Sequence, residues 1–502
     1  MKTKIFLLSL IIFYFIFSIY IAHNSLDPDH GWHLKMGELI LKAGIPKSDP
    51  FSYTMSSYSF IDHEWLSNIF LFLIDKYLGN FFLSLLFTIV LFITLIIRLP
   101  KEKKDLIISL IVLLLILNTI LLIFGIRLQV LGWFFLSILL NFEQKNDNFY
   151  LKNGKWFLPL LMLIWVNMHG SFALGLLLIF IKTGILIFCQ TKKKCQIILI
   201  GIIAFLATLI NPYYLNIYKE VFNLASDSFL KQNILEWRNI VYFESFNLLV
   251  LIAFLFIDFL ESKRQHFNLR QNLFNKICVL LFGFLAINSI RHIPFFLIFI
   301  IPFFYHSLSS FVEKFRRKKI TWTKFCQLKP ILIIFLIIIN LISLYQIQKT
   351  ALIFKELNFY PKKAINFLLT QPALIKNGEI FSSHGWGGYL ISHLPKKKVF
   401  LDGRMNSWRD HYFVGEDEYI FSNYLKILKG DLELDPYIQK YNIKLILWPN
   451  VKEKEKNLAQ LIFETLLKEK NKLSFNQKLK QLNWTKIYQD ETAIIYSKPM
   501  TH

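Results

Sequence analysis

The chain has 502 residues, 54% of them hydrophobic and only 18% charged, and its mean hydropathy is +0.44. Fifty-seven Lys and Arg against 34 Asp and Glu give a formal net charge of +23. Soluble globular chains are roughly 45–50% apolar and about a quarter charged, so the composition excludes a soluble enzyme and a disordered chain. The basic residues cluster between apolar runs, as in Lys101-Glu102-Lys103-Lys104 and Arg316-Arg317-Lys318-Lys319. Clusters in that setting read as topology signals, not as a nucleic-acid surface.

The chain opens with Met1-Lys2-Thr3-Lys4 and a long apolar run with no small-residue cleavage site after it, which predicts a retained first helix. Eleven apolar runs are candidate spans: 4–22, 80–99, 106–125, 128–141, 156–168, 171–190, 195–211, 246–260, 276–290, 293–309 and 330–347. A twelfth, 65–78, is short, ends in Asp75-Lys76-Tyr77, and reads as interfacial or half-inserted. With the N-terminus inside, the basic loops 101–104, 145–155, 192–194, 263–276 and 314–324 all fall on the cytoplasmic side, as the positive-inside rule asks. The outside segments are then 23–64, 125–127, 169–170, 212–245, 291–292 and everything after about 348. From 349 onward apolar residues come in short bursts at ordinary charge density. Strands are expected at 398–401 and 443–448, and helices at 361–370 and 455–469. The expected fold is a polytopic α-helical membrane protein of about 11 transmembrane helices, residues 1–348 with a first outside loop 23–79. A C-terminal extracytoplasmic α/β domain follows at 349–502. The four cysteines have no metal-ligand spacing and imply no disulfide framework.

Chemistry concentrates in the outside segments. The first outside loop holds six acids and the histidines His30, His33 and His63. Asp27 and Asp29 directly follow the first span, where carboxylates suit a hard cation such as Mg²⁺ or Mn²⁺, with His30 as a further candidate ligand. A carboxylate there, Asp27, Asp29 or Glu64, also suits general-base work on an acceptor hydroxyl; a solvated loop with Asp-Pro turns is the alternative. Arg127 and Arg291 are cations at outer helix ends, suited either to gripping a lipid-linked phosphate or to snorkelling toward headgroups. Asn167, His169, Asn211, Tyr213 and His292 lie at the same ends and read as substrate-binding groups or as helix caps. Glu236 reads as an acceptor or metal group, or as half of a loop salt bridge. In the C-terminal domain, Trp386 and Tyr389 flank a Gly-Gly pair, and Asp402-Gly403-Arg404 follows a strand-like burst. That pattern suits a substrate-facing loop or a glycine-bearing turn.

A first span, an acidic outside loop, many spans and an extracytoplasmic α/β domain together resemble the GT-C class of membrane glycosyltransferases. The chain looks most like a group of largely uncharacterised bacterial multi-pass membrane proteins. The likeness rests on Asp27-Pro28-Asp29 with Trp32-His33-Leu34, Asp49-Pro50-Phe51-Ser52-Tyr53-Thr54, His63-Glu64-Trp65-Leu66, Trp165-Val166-Asn167-Met168-His169-Gly170, Asn211-Pro212-Tyr213, Trp386-Gly387-Gly388-Tyr389 and Asp402-Gly403-Arg404. In GT-C enzymes an acid of the first outside loop is essential and in several cases binds the metal; carried over, that role falls on Asp27 or Asp29. Gly31-Trp32 stands where the group carries Trp-Trp. Trp386-Gly387-Gly388-Tyr389 lacks the second Trp and the Asp of the distantly similar oligosaccharyltransferase motif, so peptide N-glycosylation is not implied. The resemblance implies sugar transfer in the cell (inner or plasma) membrane, from a polyprenyl-phosphate or pyrophosphate donor to an extracytoplasmic glycan, lipid or protein. A non-catalytic surface-assembly scaffold is the alternative. A transporter would call for inverted repeats and midplane polar groups, which are not evident.

Overall fold

A computed structural model describes residues 2–100, 105–189, 193–243, 269–317, 337–350, 355–376, 378–409, 419–450 and 481–498, with a few single positions between them. Nearly all of the candidate span 246–260, the basic loop 101–104, residues 263–268 and 318–324 of two other basic loops, the first part of 330–347 and the helix expected at 455–469 lie outside the described residues. Two compact units divide the chain. The first comprises Met1–His23, Phe81–Val221 and Ile234–Ala351; the second comprises Asn24–Asn80, Phe222–Asn233 and Leu352–His502. The segment after the first helix thus belongs with the C-terminal third of the chain.

The first unit is helical. Its elements include α1 (Lys2–Asn24), whereas α2 (His30–Ala43) and α3 (Trp65–Leu78) belong to the second unit. It continues with α4 (Asn80–Arg98), α5 (Leu106–Ile120), α6 (Gln129–Glu143), α7 (Asp147–Met168), α8 (Phe172–Cys189), α9 (Lys194–Thr208), α10 (Leu269–Asn288) and α11 (Ile293–Arg317). Among the described residues, four helices are long and apolar enough to cross a membrane: Thr3–Asn24, Asn80–Arg98, Phe172–Cys189 and Ile290–Glu313. Leu106–Ile120, Gln129–Glu143, Lys194–Thr208 and Leu273–Asn288 are also apolar but shorter. α5 is buried nearly all round, as an apolar helix without a polar face must be. Its Asn118 amide donates to Asn340 (3.1 Å), and the Tyr14 hydroxyl donates to the same oxygen (2.8 Å). Polar side chains thus join three distant helical segments inside an apolar unit, where unpaired they would each cost a few kcal/mol.

The second unit is mixed. A four-stranded sheet has the order β1 (Glu379–Ser382), β2 (Ile443–Pro449), β4 (Ala493–Ser497), β3 (Thr485–Gln489). β1 runs parallel to β2, with Ile380 beside Leu445; β4 runs antiparallel to β2 and to β3, with Leu447 beside Ile495. β2 and β4 are buried along almost their whole length, as central strands covered on both faces are. The burst at 398–401 forms no ladder strand. Val399 instead makes a two-bond bridge with the first loop, donating to the Phe51 carbonyl (2.9 Å) and accepting from Tyr53 N–H (3.1 Å).

Two helices of this unit carry the candidate site. α2 lies against α3, with the Gly37 backbone on that of Asn68, and against α13 (Gly387–His393), where Gly31 meets Gly388. α12 (Lys362–Thr370) lies against β3 and β4. A Cβ on Gly31 would run into the Gly388 carbonyl oxygen, so this crossing requires glycine. The run 65–78 is the complete helix α3, closed by Gly79 at φ +83.

Candidate functional site

The sequence-selected residues fall into two groups, one in each unit. In the helical unit, Arg127 Nη1 donates to Glu236 Oε1 at 2.5 Å, and Gln129 Nε2 reaches Glu236 Oε2 at 3.4 Å. The Arg291 guanidinium lies 4.4 Å from the Trp237 ring centre, within cation–π range. The two turns are stitched together: Ser289 Oγ donates to the Glu236 carbonyl (3.0 Å) and Ile290 N–H to the Arg238 carbonyl (2.9 Å). Burial raises the Glu236 carboxyl, but the Arg127 and Arg291 charges and the Gln129 bond outweigh it and hold the group below the ordinary range. Two guanidinium groups therefore act on the Glu236 carboxylate, and these three side chains alone sum to one positive charge. His292 sits against Trp237 and Phe295.

The other selected residues of this unit sit at helix ends. Asn167 Nδ2 donates to the Leu163 and Ile210 carbonyls (2.8 and 2.9 Å). Asn211 donates to the Thr208 and Tyr214 carbonyls and accepts from Tyr213 N–H (2.7 Å). Both are buried and satisfy backbone groups near helix ends, the usual work of an asparagine there. His169 Nδ1 accepts from Ser171 N–H (3.0 Å), which assigns its proton to Nε2.

In the mixed unit, Arg404 is the centre of a buried cluster. Its Nε and Nη2 donate to the two oxygens of Asp402 (2.8 and 2.7 Å), and Nη1 donates to Asp49 (2.7 Å). Its side chain is 2% exposed and both carboxylates are 0% exposed. Trp32, Phe51, Phe60 and Trp408 surround the guanidinium at 5.0–5.7 Å. Burial works against the charge, and the Asp402 and Asp49 carboxylates override it, raising the guanidinium's affinity for its proton. Three of the recurring sequence strings, around Trp32, Asp49 and Asp402, thus meet on one side chain. Trp386 and Tyr389 are also buried; the indole donates to the Phe359 carbonyl (2.8 Å) and the phenol to Glu356 (2.9 Å).

The first-loop acids lie beside this cluster. Asp27 and Asp29 are half-buried; Asp29 N–H donates to Asp27 Oδ1 (2.8 Å), and the Asp29 carboxylate lies against Gly403. Among the described residues no group of three or more His, Cys, Asp or Glu side chains is arranged to hold a metal ion. Mg²⁺ is commonly held by one or two carboxylates with water and a substrate phosphate, and Asp27 and Asp29 are ligands of that chemical type. His30 is buried, and its Nδ1 has no hydrogen-bond partner among the described residues. Burial, then the nearby His393, push its imidazole down to about 4.

A second network was not picked out from sequence. His33 Nδ1 bonds to Asn68 Oδ1 (2.7 Å), Asn68 Nδ2 donates to Asp62 Oδ2 (2.8 Å), and Glu64 N–H donates to Asp62 Oδ1 (3.0 Å). The Glu64 carboxylate stands 4.0 Å from Nε2 of both His33 and His63. Burial pushes the Asp62 carboxyl up to about 6, against the opposing pull of its hydrogen bonds and Arg404. His33 and Asn68 are 35 positions apart, and no local pattern pairs them.

Comparison with models of known protein families finds no match, and comparison with curated proteins finds none.

Proposed function

We propose that the chain is a membrane glycosyltransferase of GT-C type, with about eleven spans, its N-terminus cytoplasmic and the 349–502 domain outside the cell membrane. It moves a sugar from a polyprenyl-phosphate or pyrophosphate donor to an extracytoplasmic glycan, lipid or protein. The observation that carries this reading is the Arg127–Glu236–Arg291 group. A net positive group at the ends of apolar helices is matched to a ligand that joins an anionic head to an apolar tail. Arg127 and Arg291 take the donor phosphate, with His169 and His292 nearby in the sequence of outer turns. Asp27, Asp29 and Glu64 supply the carboxylate that receives the acceptor proton.

In the transfer step the acceptor O–H bond breaks and its proton passes to that carboxylate. The acceptor oxygen bonds to the anomeric carbon as the bond from that carbon to the phosphate oxygen breaks, and the lipid phosphate leaves with the electron pair. A divalent cation, if held by Asp27 and Asp29, would supply Lewis-acid charge neutralisation. Arg contacts that strengthen as the phosphate gains charge lower the barrier directly.

The test is polyprenyl-phosphate binding by the purified protein in detergent, with and without Mn²⁺. Wild type binds in a metal-dependent way; the Asp27→Ala/Asp29→Ala double variant loses the metal dependence, and Arg127→Gln binds at least tenfold more weakly. No binding by wild type in any condition overturns the reading. It would then favour the scaffold alternative, which the burial of Trp386, Tyr389, Asp402 and Arg404 within their own unit also supports.

A further inference from the structure

Proline interrupts the helix that follows Arg291. α11 contains Pro302. Proline has no N–H to give to the carbonyl four residues back, and its ring crowds that carbonyl. Here the carbonyl is that of Ile298, which is fully buried. Among apolar helices a freed backbone carbonyl is satisfied by a donor from a neighbouring helix. Arg98, the last residue of α4, supplies it: its Nε donates to the Ile298 carbonyl oxygen at 3.1 Å. Arg98 is 2% exposed. Its Nη1 reaches Gln144 Oε1, just past the end of α6, at 3.3 Å, and its Nη2 has no hydrogen-bond partner among the described residues. A guanidinium enclosed by apolar helices is costly and marks a role. Its two bonds tie the ends of α4 and α6 to the point where the α11 ladder is interrupted.

We infer that Arg98 is a positioning residue for Arg291: it holds α11 at the Pro302 break and thereby fixes the turn that presents Arg291. That turn, Ile290–His292, directly precedes α11, and Arg291 lies 11 residues before Pro302. At 1.5 Å per residue the separation is about 16 Å of helix, so a change of about 10° at the break moves Arg291 by about 3 Å. A misplacement of about 1 Å, caused far from the chemistry, can already cost about a hundredfold in rate. The bonds from Ser289 and Ile290 to the Glu236 and Arg238 carbonyls hold the turn from its other side. Arg98 acts through the backbone of α11 and touches no substrate. The use of Arg291 on a phosphate rests on the transferase reading; the hold of Arg98 on α11 does not, and the two are measured separately.

The experiment is a double-variant cycle on the full-length protein in lipid nanodiscs. Pro302→Ala restores an N–H at position 302, so the Ile298 carbonyl regains a donor in its own helix and no longer depends on Arg98. Two readouts are taken: hydrogen exchange over residues 289–306, and binding of polyprenyl phosphate. In the wild-type background Arg98→Met speeds exchange at least tenfold and weakens binding at least tenfold. In the Pro302→Ala background the same substitution changes each by less than threefold. That rescue separates the hold on one carbonyl from a general loss of packing, which would be equal in both backgrounds. Arg98→Lys keeps a cationic donor and gives a smaller change of the same pattern; it replaces the Met variant should that one fail to fold. Equal effects in the two backgrounds, or unchanged exchange in Arg98→Met, overturn the inference. So does Pro302-dependent exchange with unchanged binding, because Arg291 would then not be what Arg98 positions. Absence of polyprenyl-phosphate binding by wild type sinks the transferase reading instead, and exchange over the Arg291 turn alone then decides whether Arg98 positions it.

Discussion

Replacing Arg404 tests the energetics of the mixed unit. Arg404→Leu removes three charge-assisted hydrogen bonds and leaves the carboxylates of Asp402 and Asp49, both 0% exposed, facing one another without a cation. Breaking a buried ion pair from one side costs about 3–5 kcal/mol, because the surviving charge stays buried. Loss of the guanidinium from among four aromatic rings adds to this, at about 0.5–2 kcal/mol. Taking about 4 kcal/mol, and about 2–4 °C per kcal/mol for units of roughly 150–250 residues, the transition of this unit falls by about 8–16 °C. Scanning fluorimetry of the full chain in detergent measures it. Arg404→Lys keeps the charge but not the fork and falls between wild type and Leu. Lys363→Ala is the control: its pair with Glu491 is exposed on both sides and its loss shifts the transition by no more than about 2 °C. An Arg404→Leu protein melting within 3 °C of wild type would refute the view that this cluster holds the unit together.

Acid should destabilise the same unit. Unfolded, His30 and His33 take up protons below about pH 6.5, whereas folded they stay neutral down to about 4 and about 3. More protons bind the unfolded chain, so this contribution is present above pH 6.5 and is lost as pH falls. Asp62 acts oppositely: its folded carboxyl, at about 6 against an ordinary 3.8, takes its proton first in the folded state and adds stability below pH 6. At pH 5 the histidines cost about 2 kcal/mol each and Asp62 returns about 1, a net loss of about 3 kcal/mol relative to pH 8. Thermal scans at the two values check this, and a higher transition at pH 5 would contradict it. Gly31→Ala places a methyl against the Gly388 carbonyl, where backbone must move; overpacking of about 1–3 kcal/mol lowers the transition, and an unchanged one would show that α2 and α13 slide apart freely. Glu236→Gln removes a carboxylate on which both Arg127 and Arg291 act, so phosphate-bearing lipid should bind more tightly at low salt, as measured by titration; weaker binding would make Glu236 a positioning group for Arg127.

The apolar helices were legible because their signal is local. The runs at 4–22, 80–99 and 171–190 became helices within a few residues of those bounds. So did β2, whose Ile443–Trp448 burst needs no partner to be recognised. The run 398–401 looked the same, yet Val399 pairs with the first loop, because a short apolar burst does not name its neighbour. The strings around Trp32, Asp49, His63 and Asp402 stood out in the sequence, but not what they do together. Asp402-Gly403-Arg404 reads identically whether its charges face a substrate or each other; only the presence of Asp49 beside Arg404, 355 positions away, distinguishes the two. The partners of His33 were not legible for the same reason, since the Asn68 and Asp62 that orient it belong to a different helix and its entry loop.

The pairing of Asp49 with Arg404 also sets a clock for biosynthesis. Translation at about 5–20 residues per second separates the two residues by about 20 to 70 s. Tyr360, whose hydroxyl donates to the Leu26 carbonyl (2.9 Å), and Lys355, which bridges Ser25, emerge almost as late. Until then Asp49 and the rings of Trp32, Phe51 and Phe60 in the Asn24–Asn80 segment are without Arg404. A nascent chain must keep it hydrated or chaperoned for that interval, and a chain cut short before residue 404 leaves it permanently incomplete, a ready mark for quality-control proteolysis.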